Sequence, residues 1–215
     1  MAPPGVTVHT SRMPFLPDRY EKPLDEMERH VARVLEEAAS AEPDVIAYGC
    51  TASSAKGDPD EYKSRLETEG GTPTETAAGA LLSALAALGA RRIVLVTPYA
   101  PEENAHEAEY FTENGIDVLA DDSVIVDEGQ YRMRYMSRVP TDPLVERAVA
   151  LANAHEPDAV VLACCDMPTL EAIPLIEAAT GRPAISSAQA LFWASSRRAG
   201  MNEPTPGRGR LLAEF

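Results

Sequence analysis

Cys50 and Cys164 hold the same place in two copies of one sequence pattern. Glu42-Pro43-Asp44-Val45-Ile46-Ala47-Tyr48-Gly49-Cys50 aligns with Glu156-Pro157-Asp158-Ala159-Val160-Val161-Leu162-Ala163-Cys164, with turn, apolar run and cysteine at the same offsets. Each copy continues into a helical stretch and a Gly-x-Pro, Gly71-Thr72-Pro73 and Gly181-Arg182-Pro183, which marks an internal repeat. A cysteine just past a buried strand and before a helix start meets backbone N–H groups and the positive end of a helix dipole. Both favour the thiolate and are expected to lower the thiol pKa from about 8.5. Two such cysteines on opposite sides of a cleft can take a proton from one face of a carbon and return one to the other. They can also add to an alkene and then release it. An isolated cysteine reads first as a small buried hydrophobe, and Cys165 keeps that reading; the matched offsets set Cys50 and Cys164 apart.

The loops after the two cysteines supply the groups that a small carboxylate needs. Thr51, Ala52 and Ser53 follow the first, and Cys165, Asp166 and Met167 follow the second. Their hydroxyls and successive backbone N–H groups suit a carboxylate and the dianion it forms when deprotonated at carbon. Ser53, Ser54 and Thr169 also suit plain helix capping. Tyr99, after Thr97-Pro98, can donate its hydroxyl to the same carboxylate or simply pack at a strand end.

These residues need a scaffold that brings strand ends together. A helical segment from Leu24 to Ala41 leads through Glu42-Pro43-Asp44 into the strand Val45 to Tyr48. An alanine-rich helix from Thr76 to Leu88, stopped by Gly89, leads to the strand Ile93 to Val96. A helix from Glu102 to Asn114, closed by Gly115, precedes Ile116 to Leu119, and Asp142 to Ala154 reads as a further helix. Helices alternating with fully apolar strands predict an α/β protein with parallel sheets covered on both faces, where ligands sit beyond the carboxyl ends of the strands. Cys50, Tyr99 and Cys164 all fall just past such ends.

The bulk composition narrows the partners. A chain of 215 residues, 45% hydrophobic and 25% charged, can bury a substantial core. Its net charge of -15 repels phosphate backbones, so nucleic acid is not an expected partner. The same charge means that an anionic substrate must be held by local donors in a closed pocket. No apolar run approaches the roughly 18 to 20 residues that span a bilayer, and Met1-Ala2-Pro3-Pro4-Gly5 does not read as a signal peptide, so a cytoplasmic protein without membrane contact is expected. Three cysteines, two of them adjacent, predict free thiols. The four histidines, His9, His30, His106 and His155, lack zinc-site spacing, and no metal is expected. Nucleophile-elbow, phosphate-loop and dinucleotide fingerprints are also lacking.

Taken in order, the motifs His9-Thr10-Ser11-Arg12-Met13, Gly49-Cys50-Thr51, Thr97-Pro98-Tyr99 and Ala163-Cys164-Cys165-Asp166-Met167-Pro168 resemble the maleate isomerase branch of the aspartate/glutamate racemase superfamily, which also includes the arylmalonate decarboxylases. Pro183-Ala184-Ile185-Ser186-Ser187 with Phe192-Trp193 looks like the family's last strand and helix. The resemblance implies two Rossmann-like lobes related by a pseudo-twofold axis, with the active site in the cleft between them and no metal or organic cofactor. Residues 1–90 with 188–215 would form the first lobe and 91–187 the second. It further implies that Cys50 adds to the double bond of a small dicarboxylate of the maleate type, and that Cys164 is the opposing acid/base. Racemisation of an acidic amino acid or a hydantoin, arylmalonate-type decarboxylation, and carboxylate binding without catalysis are the alternatives. Decarboxylases of the family have glycine where this chain has Cys50, and glutamate racemases carry Cys-Asn-Thr and Cys-Thr-His instead of the sequences found here. The chain begins just after the place where relatives have another strand and an asparagine-bearing loop, so the first lobe is expected to lack that strand and to expose sheet edges. Between Val124 and Arg138, where the second-lobe asparagine is not evident, Tyr131, Arg132 and Arg134 offer a different carboxylate grip. A homodimer or homotetramer would cover such edges.

Overall fold

The computed structural model describes residues 2–15, 19–124 and 136–215. Tyr131, Arg132 and Arg134, expected as an alternative carboxylate grip, lie outside the described residues.

Two short helices, α1 (Pro23–Glu28) and α2 (Val31–Ala39), stand where one helix was expected, because the chain breaks at Arg29 and His30. They lead to strand β1 (Ile46–Tyr48), which ends at the single-turn helix α3 (Thr51–Ser54). Helix α4 (Pro59–Gly70), strand β2 (Thr74–Thr76) and helix α5 (Ala77–Leu88) complete the first pattern. Strand β3 (Arg92–Thr97), helix α6 (Pro101–Glu113) and strand β4 (Asp117–Ser123) follow. The second pattern then comprises helix α7 (Thr141–His155), strand β5 (Ala159–Leu162), helix α8 (Ala172–Thr180), strand β6 (Ala184–Ser186) and helix α9 (Ser187–Arg198). A short helix α10 (Arg210–Glu214) closes the chain and sinks Leu211 into the core.

All pairings are parallel. β1 pairs with β2 in a two-stranded sheet, and the second sheet has the order β4-β3-β5-β6. Alternate residues of the second sheet feed two separate cores. Ile93, Leu95, Ala159 and Val161 face one, and Val94, Val96, Val160 and Leu162 face the other. Each fully buried Val, Leu or Ile side chain contributes about 1.5–3 kcal/mol, so this doubly covered sheet is the stable centre of the fold.

The sequence repeat is a structural repeat down to its hydrogen bonds. Glu42 and Glu156, each followed by proline, share a φ of 48°, an uncommon left-handed conformation for a residue with a side chain. Pro73 O accepts from Ile46 N at 2.8 Å, as Pro183 O accepts from Val160 N at 2.9 Å. Glu67 of α4 accepts from the Thr74 N–H at 3.0 Å, and Glu177 of α8 accepts from the Ala184 N–H at 3.1 Å. Thr76 and Ser186 then cap the next helices by accepting from Gly79 N and Gln189 N.

Helices α5 and α9, equivalent in the repeat, pack against each other, and each touches both sheets. α5 touches β2, which it follows, and shares a core with β3 and β5; α9 shares that same core with β6, which it follows, and also touches β1 and β2. In the repeat β1 matches β5, and the counterpart of β3 is absent from the first sheet among the described residues. One edge of β1 therefore has no partner among the described residues, and Ala47 is exposed where its counterpart Val161 is fully buried.

Candidate active site

The two cysteine-bearing strand ends converge. Thr51, next to Cys50, places its hydroxyl 3.9 Å from the Cys165 thiol, next to Cys164, and donates to the Ser187 hydroxyl at 2.8 Å. Ala52 packs into the cluster that holds Tyr99, Cys164 and Met167, so the loop after β1 reaches the core of the second sheet. All three cysteines are free thiols.

Each principal thiol has one hydroxyl and one backbone N–H that favour its ionised form. For Cys50 both come from Ser53, whose hydroxyl also meets that of Tyr48 at 2.9 Å. For Cys164 they are the Tyr99 hydroxyl and the Asp166 N–H. These donors do not prevail over burial, which pushes Cys50 above the usual thiol range and Cys164 up to about 12. The expectation of lowered thiol pKa values is thus overturned, for a local reason. Only the single turn α3 follows Cys50, and α8 begins eight residues after Cys164, so neither thiol faces a long helix.

The remaining expected site residues differ in placement. Met167 is buried against Tyr99 and Cys164, and Tyr99 is buried at the end of β3, with its N–H donating to the Thr97 hydroxyl at 3.0 Å. Burial raises the Cys165 thiol further from ionisation. Asp166 is exposed and offers its backbone N–H rather than its carboxylate. The Ser54 hydroxyl accepts from Ala78 N at 3.1 Å and so serves the start of α5, while Thr169 donates to the Ser186 hydroxyl at 2.8 Å. A cavity of about 530 Å³ shares Met167 and Thr169 with this region, but neither cysteine lines it, so it is not the space between the thiols.

One group escaped the sequence reading. Glu107 on α6 is 1% exposed, and neither carboxylate oxygen has a hydrogen-bond partner among the described residues. One turn earlier Asn104 bonds the Thr97 hydroxyl and Asp121; one turn later Tyr110 packs with Ala55 and Ala78. Burial drives the Glu107 carboxyl well above the carboxylate range, and a charge there would act on Cys50, Cys164, Cys165 and Tyr99. The signal lay in the spacing of Asn104, Glu107, Tyr110 and Phe111, a helical stripe that shares one buried face.

Comparison with known proteins agrees with this architecture. The sequence profile of the arylmalonate decarboxylase family matches residues 14–212. Arylmalonate decarboxylase from Bordetella bronchiseptica is 36% identical over 146 residues, 67% of this chain and 59% of that enzyme's length. Maleate isomerase from Geobacillus stearothermophilus is 29% identical over 220 residues, 96% of this chain and 84% of that one. Among solved structures, a cysteine-to-serine variant of Nocardia farcinica maleate cis-trans isomerase with a covalently bound succinylcysteine intermediate superposes with a TM-score of 0.86 at 27% identity, covering 99% of this chain and 89% of that one. Fold and relatives together define a two-lobed α/β enzyme. The chain belongs to the arylmalonate decarboxylase family.

Proposed function

We propose that this protein is a cofactor-independent cis–trans isomerase of a small dicarboxylate of the maleate type, with Cys50 as nucleophile and Cys164 as acid/base. The observation that carries the reading is the pair of cysteines at equivalent strand ends, whose neighbouring residues Thr51 and Cys165 come within 3.9 Å. The succinylcysteine of the Nocardia enzyme is what such a pair would form from maleate. The Cys50 thiolate adds to one alkene carbon, and the electron pair displaced from the double bond takes the proton of the Cys164 thiol at the other carbon. Rotation about the resulting single bond brings the carboxylates apart. The Cys164 thiolate then removes a proton from the carbon it protonated, the C–S bond breaks, and its electron pair returns to Cys50. Thr51, Ala52, Ser53, Tyr99, Cys165, Asp166 and Met167 bind the two carboxylates through hydroxyls and backbone N–H groups.

Trapping the adduct tests this directly. C164S incubated with maleate should gain the mass of one maleic acid on the peptide that holds Cys50. Absence of any adduct on Cys50 would contradict the assignment. Arylmalonate-type decarboxylation is the second reading, favoured by the 36% identical relative. It needs Cys164 as proton donor but not Cys50, so C50G would keep decarboxylation and lose isomerisation.

We place residues 1–90 with 188–215 in one lobe and 91–187 in the other, supported by the contacts of α9 with β1 and β2. We also propose a homo-oligomer in the cytoplasm. Among the described residues one edge of β1 has no partner and no helix is long and apolar enough to cross a membrane, and these, with the three free thiols, support that reading.

A further inference from the structure

Beyond the ends of β5 and β6, between the starts of α8 and α9, lies the cavity of about 530 Å³, a size that suits a small molecule. Its inner wall is polar and incompletely paired. Gln189, 1% exposed, donates from its amide nitrogen to the Arg208 carbonyl oxygen, which can only accept. The amide oxygen of Gln189 therefore faces the other way, and it is buried with no partner among the described residues. The Ser186 hydroxyl, also 1% exposed, accepts from the Thr169 hydroxyl at 2.8 Å and from the Gln189 N–H at 3.3 Å, so its own proton has no acceptor among the described residues. A buried acceptor and a buried donor thus stand unused on one wall. Such groups are costly when left unpaired, and a ligand that pairs with them removes the cost.

The backbone on either side of Arg208 is fixed to this wall. Gly209 has a φ of 91°, and a Cβ there would lie 2.5 Å from Ile173 Cγ2 and 2.9 Å from the Gln189 amide nitrogen, so glycine is what lets the Arg208 carbonyl reach Gln189. Glu177 then accepts from the Arg210 N–H at 3.1 Å. Arg208 and Glu171, both exposed, bring one positive and one negative charge to the lining of the cavity. Opposite charges at one cavity suit a zwitterion, and a ligand without net charge is not repelled by a chain of net charge -15. The inner wall needs a group that donates and accepts at once, a hydroxyl or a primary amide.

We propose that this cavity binds a small zwitterionic amino acid with a hydroxyl or amide side chain. The side chain pairs with Gln189 Oε1 and Ser186 Oγ, while the ammonium and carboxylate groups turn toward Glu171 and Arg208. Neither cysteine lines the cavity, and it adjoins the second cysteine loop through Met167, which packs with Tyr99 and Cys164. The site is therefore additional to the cleft between the thiols, and the proposal does not depend on the reaction assigned to them.

Saturation-transfer NMR of the full chain with L-asparagine and L-serine tests the site without any turnover. At least one of the two should bind saturably, with a Kd of about 1 mM or lower. 2-Aminobutyrate, which lacks the side-chain donor and acceptor, and N-acetyl-asparagine, which lacks the ammonium group, should each bind at least about tenfold more weakly. R208Q and Q189M should each raise the Kd about tenfold or more. R208Q alters an exposed side chain, so its result stands even where Q189M fails to fold. An excess of maleate should leave the bound amino acid in place. No saturable binding of either amino acid up to about 10 mM would mean that solvent fills the cavity, and would overturn the proposal. So would an unchanged Kd in R208Q, equal binding of both control compounds, or full displacement by maleate, which would put the amino acid at the cysteines.

Discussion

Tyr99 bears on thiolate formation at Cys164, and Glu107 on the pH dependence of the fold. The Tyr99 hydroxyl favours the Cys164 thiolate against the burial that drives that thiol up to about 12. Y99F should therefore raise the Cys164 pKa further and lower kcat/KM about 10- to 100-fold. That is about 1.4–2.8 kcal/mol, the range for a hydrogen bond to a charged group, and it can be read from steady-state rates alongside thiol alkylation. Unchanged rates and alkylation would remove Tyr99 from the site. Glu107 predicts a pH dependence of stability. Its folded-state pKa is raised above the ordinary 4.5, so the unfolded chain releases its proton first. The stability that its neutral form permits is fully present below 4.5 and is lost as pH rises toward the folded pKa, by about 1.4 kcal/mol per pH unit. E107Q should match the unaltered protein in thermal melts near pH 4 and melt higher at neutral pH. Equal melting temperatures across that window would mean that Glu107 is ionised and partnered.

At the scale of elements, the repeated helix starts offer a matched comparison. T76A removes a hydroxyl cap and should cost about 1 kcal/mol in urea unfolding. S186A removes the equivalent cap and also leaves the buried Thr169 hydroxyl without its acceptor, so it should cost about 2 kcal/mol or more. Equal losses would show that the Thr169 contact contributes nothing. The elements legible in the sequence were those with an unbroken apolar signal. The Ile93 to Val96 and Ala159 to Leu162 runs are strands buried on both faces, and the helices ending at Leu88 and His155 stop within a residue of the expected place. Strand β2 is hidden in the sequence because Thr74-Glu75-Thr76 is wholly polar; it is a strand because Pro73 and Glu67 fix its start and it pairs in register with β1. β4 runs on to Ser123 through Asp121 and Asp122, whose polarity hid it, and Asp121 is retained there by Asn104.

For the molecule as a whole, the cysteine repeat makes two equivalent halves visible in the sequence, but not the way α5 and α9 each bridge both sheets. Nothing in a helix's own residues says which of two similar sheets it will cover. That bridging has a thermodynamic consequence. The core shared by α5, α9, β3, β5 and β6 spans both halves, so they should unfold as one cooperative unit. Fluorescence of the single Trp193, which packs against that core on α9, and far-ultraviolet circular dichroism should give coincident urea transitions. Separate midpoints would mean that the halves are independent. A strand-end position does not by itself fix a thiol pKa, because burial, which depends on the packing of the whole fold, outweighs the local donors at Cys50 and Cys164.

The central claim, that Cys50 and Cys164 act together on a small cis dicarboxylate, is tested most directly by following maleate in deuterated buffer by proton NMR with the unaltered protein, C50A and C164A. The account predicts a growing fumarate resonance with the unaltered protein and a rate lower by at least about a hundredfold in either variant. Fumarate formed at the full rate by C50A or C164A, or none formed by the unaltered protein, would contradict it.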